Sequence, residues 1–227
     1  MVVLERFKPE LQEIVRKSFA SLTEIQKAAM PPILAGRNTL VIAPTGSGKT
    51  EAAFLPVMNG LIGSKKPGIL VLYIAPLRSL NRDMLRRMEE WCAQLGLRVE
   101  VRHGDTTTSQ RSRQRLKPPQ ILITTPETLQ AILPAKVMRK HLASVEYVII
   151  DEMHDLVRDA LFVMACHDQH VIIGEVRCAC ICRPRNHEHV ASIAHAEDDA
   201  FLLMRTRVVL LDVVDEYGVQ FAQFGLE

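Results

Sequence analysis

A lysine and a threonine close a short glycine-containing stretch, Thr45-Gly46-Ser47-Gly48-Lys49-Thr50, which is suited to hold a phosphate chain and a cation. Glycines let successive backbone N–H groups turn inward around phosphate oxygens, and the lysine ammonium reaches the outer phosphates. The threonine hydroxyl is a ligand for Mg²⁺. The alternative is an ordinary glycine-rich turn with a coincidental lysine.

The flanking residues favour a phosphate-binding loop over a coincidental turn. Leu40 to Ala43 form an apolar, partly β-branched run that predicts a buried strand, and from Glu51 apolar residues recur at helical spacing. This order places a helix N-terminus, the positive end of the helix dipole, against the bound phosphates. We therefore predict that the stretch cradles a nucleotide.

Two adjacent carboxylates, Asp151 and Glu152, follow the apolar run Val148-Ile149-Ile150. A carboxylate in such a position can hold Mg²⁺ opposite the threonine, directly or through water. A second carboxylate can orient or deprotonate the water that attacks the terminal phosphate. The alternative is an acidic turn that caps the next helix. We assign catalytic roles to Lys49, Asp151 and Glu152, and metal binding to Thr50 and Asp151.

Gln26 lies ahead of the glycine loop, in a helix that Thr23 is suited to cap. A glutamine amide offers a donor and an acceptor in the geometry that pairing with an adenine edge requires. Taken alone, Gln26 is typical of a surface glutamine. Its place just before a phosphate loop favours adenine recognition instead.

Three further segments carry polar groups after predicted strands, and hydroxyls, an arginine and helix N-termini there can grip successive phosphates of a nucleic acid. Each segment taken singly is typical of a capping turn. Aromatic residues make up only 5% of the chain, so a base-stacking surface is not indicated. The candidate contacts are Pro76, Leu77, Arg78, Gly104, Asp105, Thr106, Thr125, Pro126 and Glu127.

Strands that alternate with helices predict an α/β fold with a mostly parallel central sheet flanked by helices. Each candidate segment follows the carboxyl end of a strand, where open α/β sheets bind ligands. A helix is expected over residues 5–17, with Leu11, Ile14 and Val15 facing inward. The predicted strands span residues 40–43, 69–75, 98–103, 120–124 and 145–150.

Composition describes a globular protein of 227 residues, 48% hydrophobic and 24% charged. No apolar run approaches a membrane span, and the first residues lack the apolar core of a signal peptide. We therefore expect a cytoplasmic chain with no membrane partner. The five cysteines, an odd number, are expected to be reduced thiols.

Charge is divided unevenly along the chain. Residues 1–150 carry 22 Lys and Arg against 12 Asp and Glu, a net +10, while residues 151–227 carry 6 against 14, a net −8; the two give the overall +2. A basic front section suits a polyanionic partner.

Taken together, these motifs resemble those of superfamily 2 helicases of the DExH type. The sequence in and around them is most similar to the Lhr (large helicase-related) group. Gln26, the glycine loop, Pro76-Leu77-Arg78, Thr125-Pro126-Glu127 and Asp151-Glu152-Met153-His154 stand in the order of the family's motifs. The resemblance implies a RecA-like P-loop NTPase domain over residues 1–160. It further implies that this domain binds ATP, Mg²⁺ and single-stranded nucleic acid, either DNA or RNA.

The resemblance stops after the DExH motif. Family members continue to a Ser-Ala-Thr motif and a second RecA-like domain, and neither is found in this sequence. The tail, residues 161–227, is expected to be a degenerate or frame-shifted end, a diverged segment that completes the sheet, or a metal site. That metal site would use Cys166, Cys178, Cys180, Cys182, His187 and His189. Residues 207–214 predict a last strand.

Two functions therefore stand side by side. The chain is either the ATP-binding half of an Lhr-like helicase, without unwinding activity alone, or a non-catalytic remnant that binds nucleotide or nucleic acid. If the chain is the ATP-binding half of a helicase, a second helicase domain supplied in trans would complete it. Whether the chain is an enzyme is left open.

Overall fold

The computed structural model describes residues 3–77, 82–152, 207–212 and 220–223. A short 3-10 helix, Leu4–Arg6, precedes the first α-helix. The helices are α1 Pro9–Ser18, α2 Glu24–Leu34, α3 Lys49–Leu61, α4 Arg82–Gln94, α5 Thr108–Leu116, α6 Pro126–Ile132 and α7 Lys136–Leu142. The strands are β1 Thr39–Ile42, β2 Val71–Ile74, β3 Val99–Arg102, β4 Ile121–Thr124, β5 Tyr147–Ile150, β6 Arg207–Asp212 and β7 Gln220–Gln223.

The strands form one sheet in the order β3-β4-β2-β5-β6-β1-β7. All neighbouring pairs run parallel except β1 and β7, which are antiparallel. The predicted mostly parallel α/β sheet is therefore confirmed. Since β1 to β6 run in the same direction, their carboxyl ends meet at one edge, which we call the carboxyl edge.

The helices cover both faces of the sheet, which is why the central strands are apolar on both sides. On one face, α1, α2, α3 and α4 pack over a large core that includes Phe54, Tyr73 and Ile149. On the other face, α6 and α7 cover a smaller core around Leu72, Leu122 and Ile150. As predicted, Leu11, Ile14 and Val15 are buried.

Helices α5 and α7 are absent from the sequence predictions. Only Gln114 of α5 is buried, so this helix lacks the apolar stripe by which a helix is recognised. It begins instead at a capping box, in which Thr107 and Gln110 satisfy each other's backbone N–H groups. The expected helix over residues 5–17 is also corrected, because α1 begins only at Pro9.

The last two strands lie on either side of β1. In β6, Val209 to Asp212 pair with Thr39 to Ile42 of β1, and Arg207 to Leu210 pair with β5. The last two residues of the predicted strand, 213–214, lie outside the described residues. Strand β7 pairs with the other side of β1. Residues from the tail therefore flank the strand that leads into the glycine loop.

Several sequence predictions lie outside the described residues. These are Arg78, residues 153–154 of the DExH motif, the boundary at residue 160, and the cysteines and histidines of the proposed metal site. Within the described residues, no helix is both long enough and apolar enough to cross a membrane.

Candidate nucleotide and nucleic-acid site

The glycine loop has the backbone shape of a phosphate cradle. Gly46 and Gly48 have φ angles of 77° and 89°, in the left-handed region that favours glycine. Gly48 is the N-cap of α3, so the N–H groups of the first turn of this helix point into the loop. Thr45 and Gly46 are exposed at its tip, and the buried Ser47 hydroxyl has no hydrogen-bond partner among the described residues. Anionic oxygens would satisfy these donors.

Lys49 is 6% exposed and folds back into the loop. Its ammonium donates hydrogen bonds to the carbonyl oxygens of Ala43, at 2.6 Å, and Pro44, at 3.1 Å. A buried ammonium at the base of a loop lined by backbone N–H donors is suited to bind a phosphate oxygen. Lys49 is thus placed where the nucleotide prediction requires it.

The buried carboxylate of Asp151 lies near the same loop. Its Oδ2 accepts a hydrogen bond from the Tyr73 hydroxyl, and its Oδ1 accepts one from the Glu152 N–H at 3.0 Å. Burial raises the pKa of that same Tyr73 hydroxyl, and the nearby Thr50 side chain opposes this effect by hydrogen bonding. Thr50 of α3 and Asp151 after β5 therefore lie near one phenol oxygen, and these two residues could hold a divalent cation.

Burial raises the pKa of Asp151 above its usual value. The hydrogen bonds from Tyr73 and the Glu152 N–H, and the Lys49 charge, oppose this effect, whereas the Glu51 carboxylate adds to it. A bound cation would stabilise the ionised form, so this acid is suited to metal binding.

Glu152 has a φ of 52°, a conformation that a residue with a side chain rarely adopts. Strain of this kind persists where the surroundings enforce it, as at functional sites. Here the turn directs the backbone N–H of Glu152 to the Asp151 carboxylate. It also leaves Glu152 half-buried at the carboxyl edge, beside the candidate cation ligands.

Gln26 is 2% exposed and connects α2 to the glycine loop. Its Oε1 accepts the Thr23 N–H at 3.0 Å, and its Nε2 donates to the Gly48 carbonyl at 3.4 Å. The Thr23 hydroxyl also donates to the Ser47 carbonyl at 3.0 Å. Both ends of the amide thus have protein partners, and reading an adenine edge would require the amide to exchange them.

The candidate nucleic-acid segments also lie along the carboxyl edge. Leu77, after β2, is 56% exposed, and Pro76 is half-buried. After β4, the Thr125 hydroxyl accepts the Thr128 N–H at 3.4 Å and caps α6, while Glu127 is exposed. Thr125 and Pro126 are buried, so this segment shapes the edge more than it presents hydroxyls.

The segment after β3 is a tight turn with an exposed tip. Gly104 and Asp105 are exposed, whereas Thr106 is buried and its hydroxyl accepts the His103 N–H at 2.8 Å. Arg111 of α5 donates to the Gly104 carbonyl at 2.6 Å and braces the turn from outside. Sequence reasoning missed this contact.

Sequence reasoning also missed Tyr73 and the ion pair between Glu51 and Arg87. Tyr73 is the one residue with a hydroxyl in the apolar run 69–75, a signal that could have identified it. The Glu51 carboxylate lies 2.8 Å from the Arg87 guanidinium and links α3 to α4.

Comparison with protein families now identifies the chain. The family model for DEAD/DEAH box helicases matches residues 23–174, which include the glycine loop, Asp151 and Glu152. The chain belongs to the DEAD/DEAH box helicase family. The resemblance to the Lhr group is confirmed as well: an ATP-dependent helicase Lhr-Core of Methanothermobacter thermautotrophicus is 43% identical over 164 residues. These cover 65% of this chain and 19% of that protein, so the chain spans about a fifth of this relative.

Solved structures confirm the RecA-like fold. Mycobacterium smegmatis helicase Lhr, bound to ssDNA and AMP-PNP, matches 92% of this chain and 25% of its own, with a TM-score of 0.69 and 30% identity. The DEAD-box helicase Mss116 shares the fold, with a TM-score of 0.64 and 22% identity over 92% of this chain and 44% of its own.

Proposed function

We propose that this chain is the ATP- and nucleic-acid-binding first motor domain of an Lhr-like helicase. Mg²⁺-ATP binds at the glycine loop, and a single strand of DNA or RNA binds along the carboxyl edge. The observation that carries this proposal is that Lys49 is buried within the glycine loop, close enough to the buried Asp151 carboxylate to lower its pKa, while Asp151 bonds Tyr73 near Thr50.

Each residue has a distinct role in the proposed site. The N–H groups of residues 46–50 and the Lys49 ammonium neutralise the phosphate charge, and Thr50 and Asp151 hold the cation. Bound Mg²⁺ would neutralise charge that develops on the phosphates during hydrolysis. Glu152 would orient or deprotonate the attacking water.

Nucleic-acid binding is supported by the segments after β2, β3 and β4, which share the carboxyl edge with the nucleotide loop and each include an exposed residue. The nucleic-acid complex of the Mycobacterium smegmatis relative, 30% identical to this chain, adds support. Contacts of this kind grip phosphates and carry little sequence information. We expect weak, sequence-independent and strongly salt-dependent binding.

The alternative is a non-catalytic remnant that binds nucleotide without hydrolysing it. The two hypotheses differ in whether the chain turns over ATP. An ATPase assay with and without single-stranded DNA distinguishes them. Stimulation by DNA that is lost in Glu152→Gln would support the motor, and binding without any turnover would support the remnant.

The nucleotide site is tested by titration of a fluorescent ATP analogue in the presence of Mg²⁺. We expect Lys49→Ala to weaken binding about tenfold or more, because hydrogen bonds to a charged donor contribute about 1.5–3 kcal/mol. Lys27→Ala is the control, since Lys27 is an exposed lysine that pairs with Glu24. Equal affinities for wild type and Lys49→Ala would contradict the proposed site.

The same titration with GTP as competitor tests Gln26. If its amide moves to the adenine edge, ATP should bind more tightly than GTP, and Gln26→Ala should narrow the difference. If the amide keeps Thr23 and Gly48 as partners, the variant should lose affinity for both nucleotides equally. That second result would remove Gln26 from base recognition.

A further inference from the structure

We infer that Tyr73 is a positioning residue for the cation: its hydroxyl holds Thr50 and Asp151 in the arrangement that divalent metal binding requires. This inference rests on the proposed function, because it concerns the same cation. Tyr73 belongs to β2 and to none of the motifs that carry the family resemblance. We expect it to act through Thr50 and Asp151, without touching the nucleotide.

The sheet register explains why Tyr73 can reach both residues. In the parallel pairing of β2 with β5, Tyr73 lies level with Ile149. Asp151 follows two residues later and therefore points to the same face of the sheet. Helix α3 covers this face, and Phe54, one turn after Thr50, packs edge-on against the Tyr73 ring with centroids 6.4 Å apart.

The hydrogen bonds leave the right atoms available for a cation. A carboxylate has about four acceptor positions, and Asp151 uses one on each oxygen, for Tyr73 and for the Glu152 N–H. The others remain for a metal ion or its water ligands. A hydroxyl that binds a cation through a lone pair must direct its proton elsewhere, and the nearby Tyr73 oxygen is an acceptor to which Thr50 can direct it.

The position of Tyr73 suits this role because its hydroxyl is shielded from solvent. The residue is 0% exposed, so water does not reach the hydroxyl. Partners that orient metal ligands typically change metal affinity about 10–100-fold when they are removed. Ring packing alone would not require the hydroxyl, so a phenylalanine separates the two roles.

The test is Mg²⁺-dependent nucleotide binding by Tyr73→Phe in the full chain. We expect the Mg²⁺ concentration for half-maximal binding of the fluorescent ATP analogue to rise about tenfold or more. Binding without metal, in EDTA, should be unchanged, because Lys49 and the loop N–H groups are not altered. Tyr147→Phe is the matched control, since it removes a buried tyrosine hydroxyl whose partner is Arg207, on β6.

Each result supports or overturns the inference. An unchanged Mg²⁺ requirement in Tyr73→Phe, or an equal loss of binding with and without metal, would overturn it while leaving the proposed function intact. A rise of the same size in Tyr147→Phe would also overturn it. A wild-type chain that binds no nucleotide, with or without Mg²⁺, would overturn both the inference and the proposed function.

A second measurement on the wild-type sequence covers the case in which Tyr73→Phe does not fold. The chain has three tyrosines, so labelling with 3-fluorotyrosine gives three fluorine signals by NMR. Tyr147→Phe and Tyr217→Phe assign two of them and leave that of Tyr73. We expect this signal to shift when Mg²⁺ is added to the chain with bound ADP. An unmoved signal would overturn the inference.

Discussion

Asp151 is a carboxylate whose charge is unfavourable in the folded chain without a cation. Its pKa is raised, mainly by burial. A group with a raised folded pKa binds its proton more tightly in the folded than in the unfolded state. Its contribution to stability is complete below its unfolded pKa of about 3.8 and is lost as pH rises through the folded pKa.

We therefore predict that Asp151→Asn stabilises the nucleotide-free chain at neutral pH. An asparagine stays neutral, and its amide can donate to the Tyr73 oxygen while its carbonyl accepts the Glu152 N–H. Urea unfolding should show an advantage over wild type that grows as pH rises above 4 and then levels off. The same variant should lose Mg²⁺-dependent nucleotide binding.

Asp105→Asn serves as the control for this comparison, because Asp105 is an exposed acid at the same edge. It should change stability little at any pH. A destabilised Asp151→Asn chain at pH 7 would show that hydrogen bonding to the ionised carboxylate outweighs its burial. Gain of stability together with loss of function is expected where a site keeps a buried charge for its ligand.

Helix α5 contacts the exposed turn after β3 through the side chain of Arg111. Arg111 donates to the Gly104 carbonyl at 2.6 Å and to the His103 carbonyl at 3.4 Å, so α5 fixes the exposed turn after β3. We predict that Arg111→Ala weakens binding of single-stranded DNA about fivefold, since one hydrogen bond contributes about 1 kcal/mol. Fluorescence anisotropy at several salt concentrations measures this effect.

Arg113→Ala is the matched control for Arg111. It removes one positive charge from the same helix, but Arg113 pairs with Glu100 of β3 at 3.4 Å instead of bracing the turn. A smaller loss of affinity in Arg113→Ala would assign the effect to the turn. Equal losses would mean that α5 contributes general positive charge alone. Nucleotide affinity should be unchanged in both variants.

The sequence predicts those elements whose residues repeat with a clear period. The apolar runs identify β1, β2, β4 and β5, because strands buried on both faces contain few polar residues. The capping residue Thr23 is likewise predicted and observed. By contrast, α5 has almost no buried side chain and is stabilised by its cap and by side-chain contacts to the turn, which no periodicity reveals.

The candidate site likewise contains residues that the sequence identifies and a contact that it does not. Residue type and order identify Lys49, Thr50 and Asp151 as a set, because phosphate and cation chemistry needs those groups after strands. The contact of Tyr73 with two of them could not be predicted, since it depends on the register of β2 against β5. Register is a tertiary property that a single strand's sequence does not specify.

At the scale of the whole molecule, the tail and the motor domain share one sheet. Strand β1 is flanked by β6 and β7, both from the tail, and Val209 and Leu211 of β6 are buried in the main core. We predict that a chain ending at residue 160 loses cooperative thermal unfolding and nucleotide binding, because both partners of β1 are removed. Circular dichroism and nucleotide titration measure this loss.

A chain ending at Gln223 is the control, because it keeps both strands. It should unfold and bind nucleotide as the full chain does. If the chain ending at residue 160 folded and bound nucleotide with wild-type affinity, the tail would be dispensable, and the boundary proposed from the sequence would mark a complete domain.

The last prediction is that these 227 residues alone do not separate the strands of a duplex. In the described residues, the candidate contacts to nucleic acid all lie at one edge of one sheet, so nothing there moves one contact relative to another. An arginine supplied by a second domain can raise the rate of phosphoryl transfer about 10³–10⁵-fold. Hydrolysis by the single domain should therefore be slow. A strand-displacement assay with a fluorescent duplex tests this, with single-stranded DNA binding as the positive control. ATP-dependent displacement that is lost in Glu152→Gln would contradict the prediction, and it would mean that one RecA-like domain with this tail completes a motor.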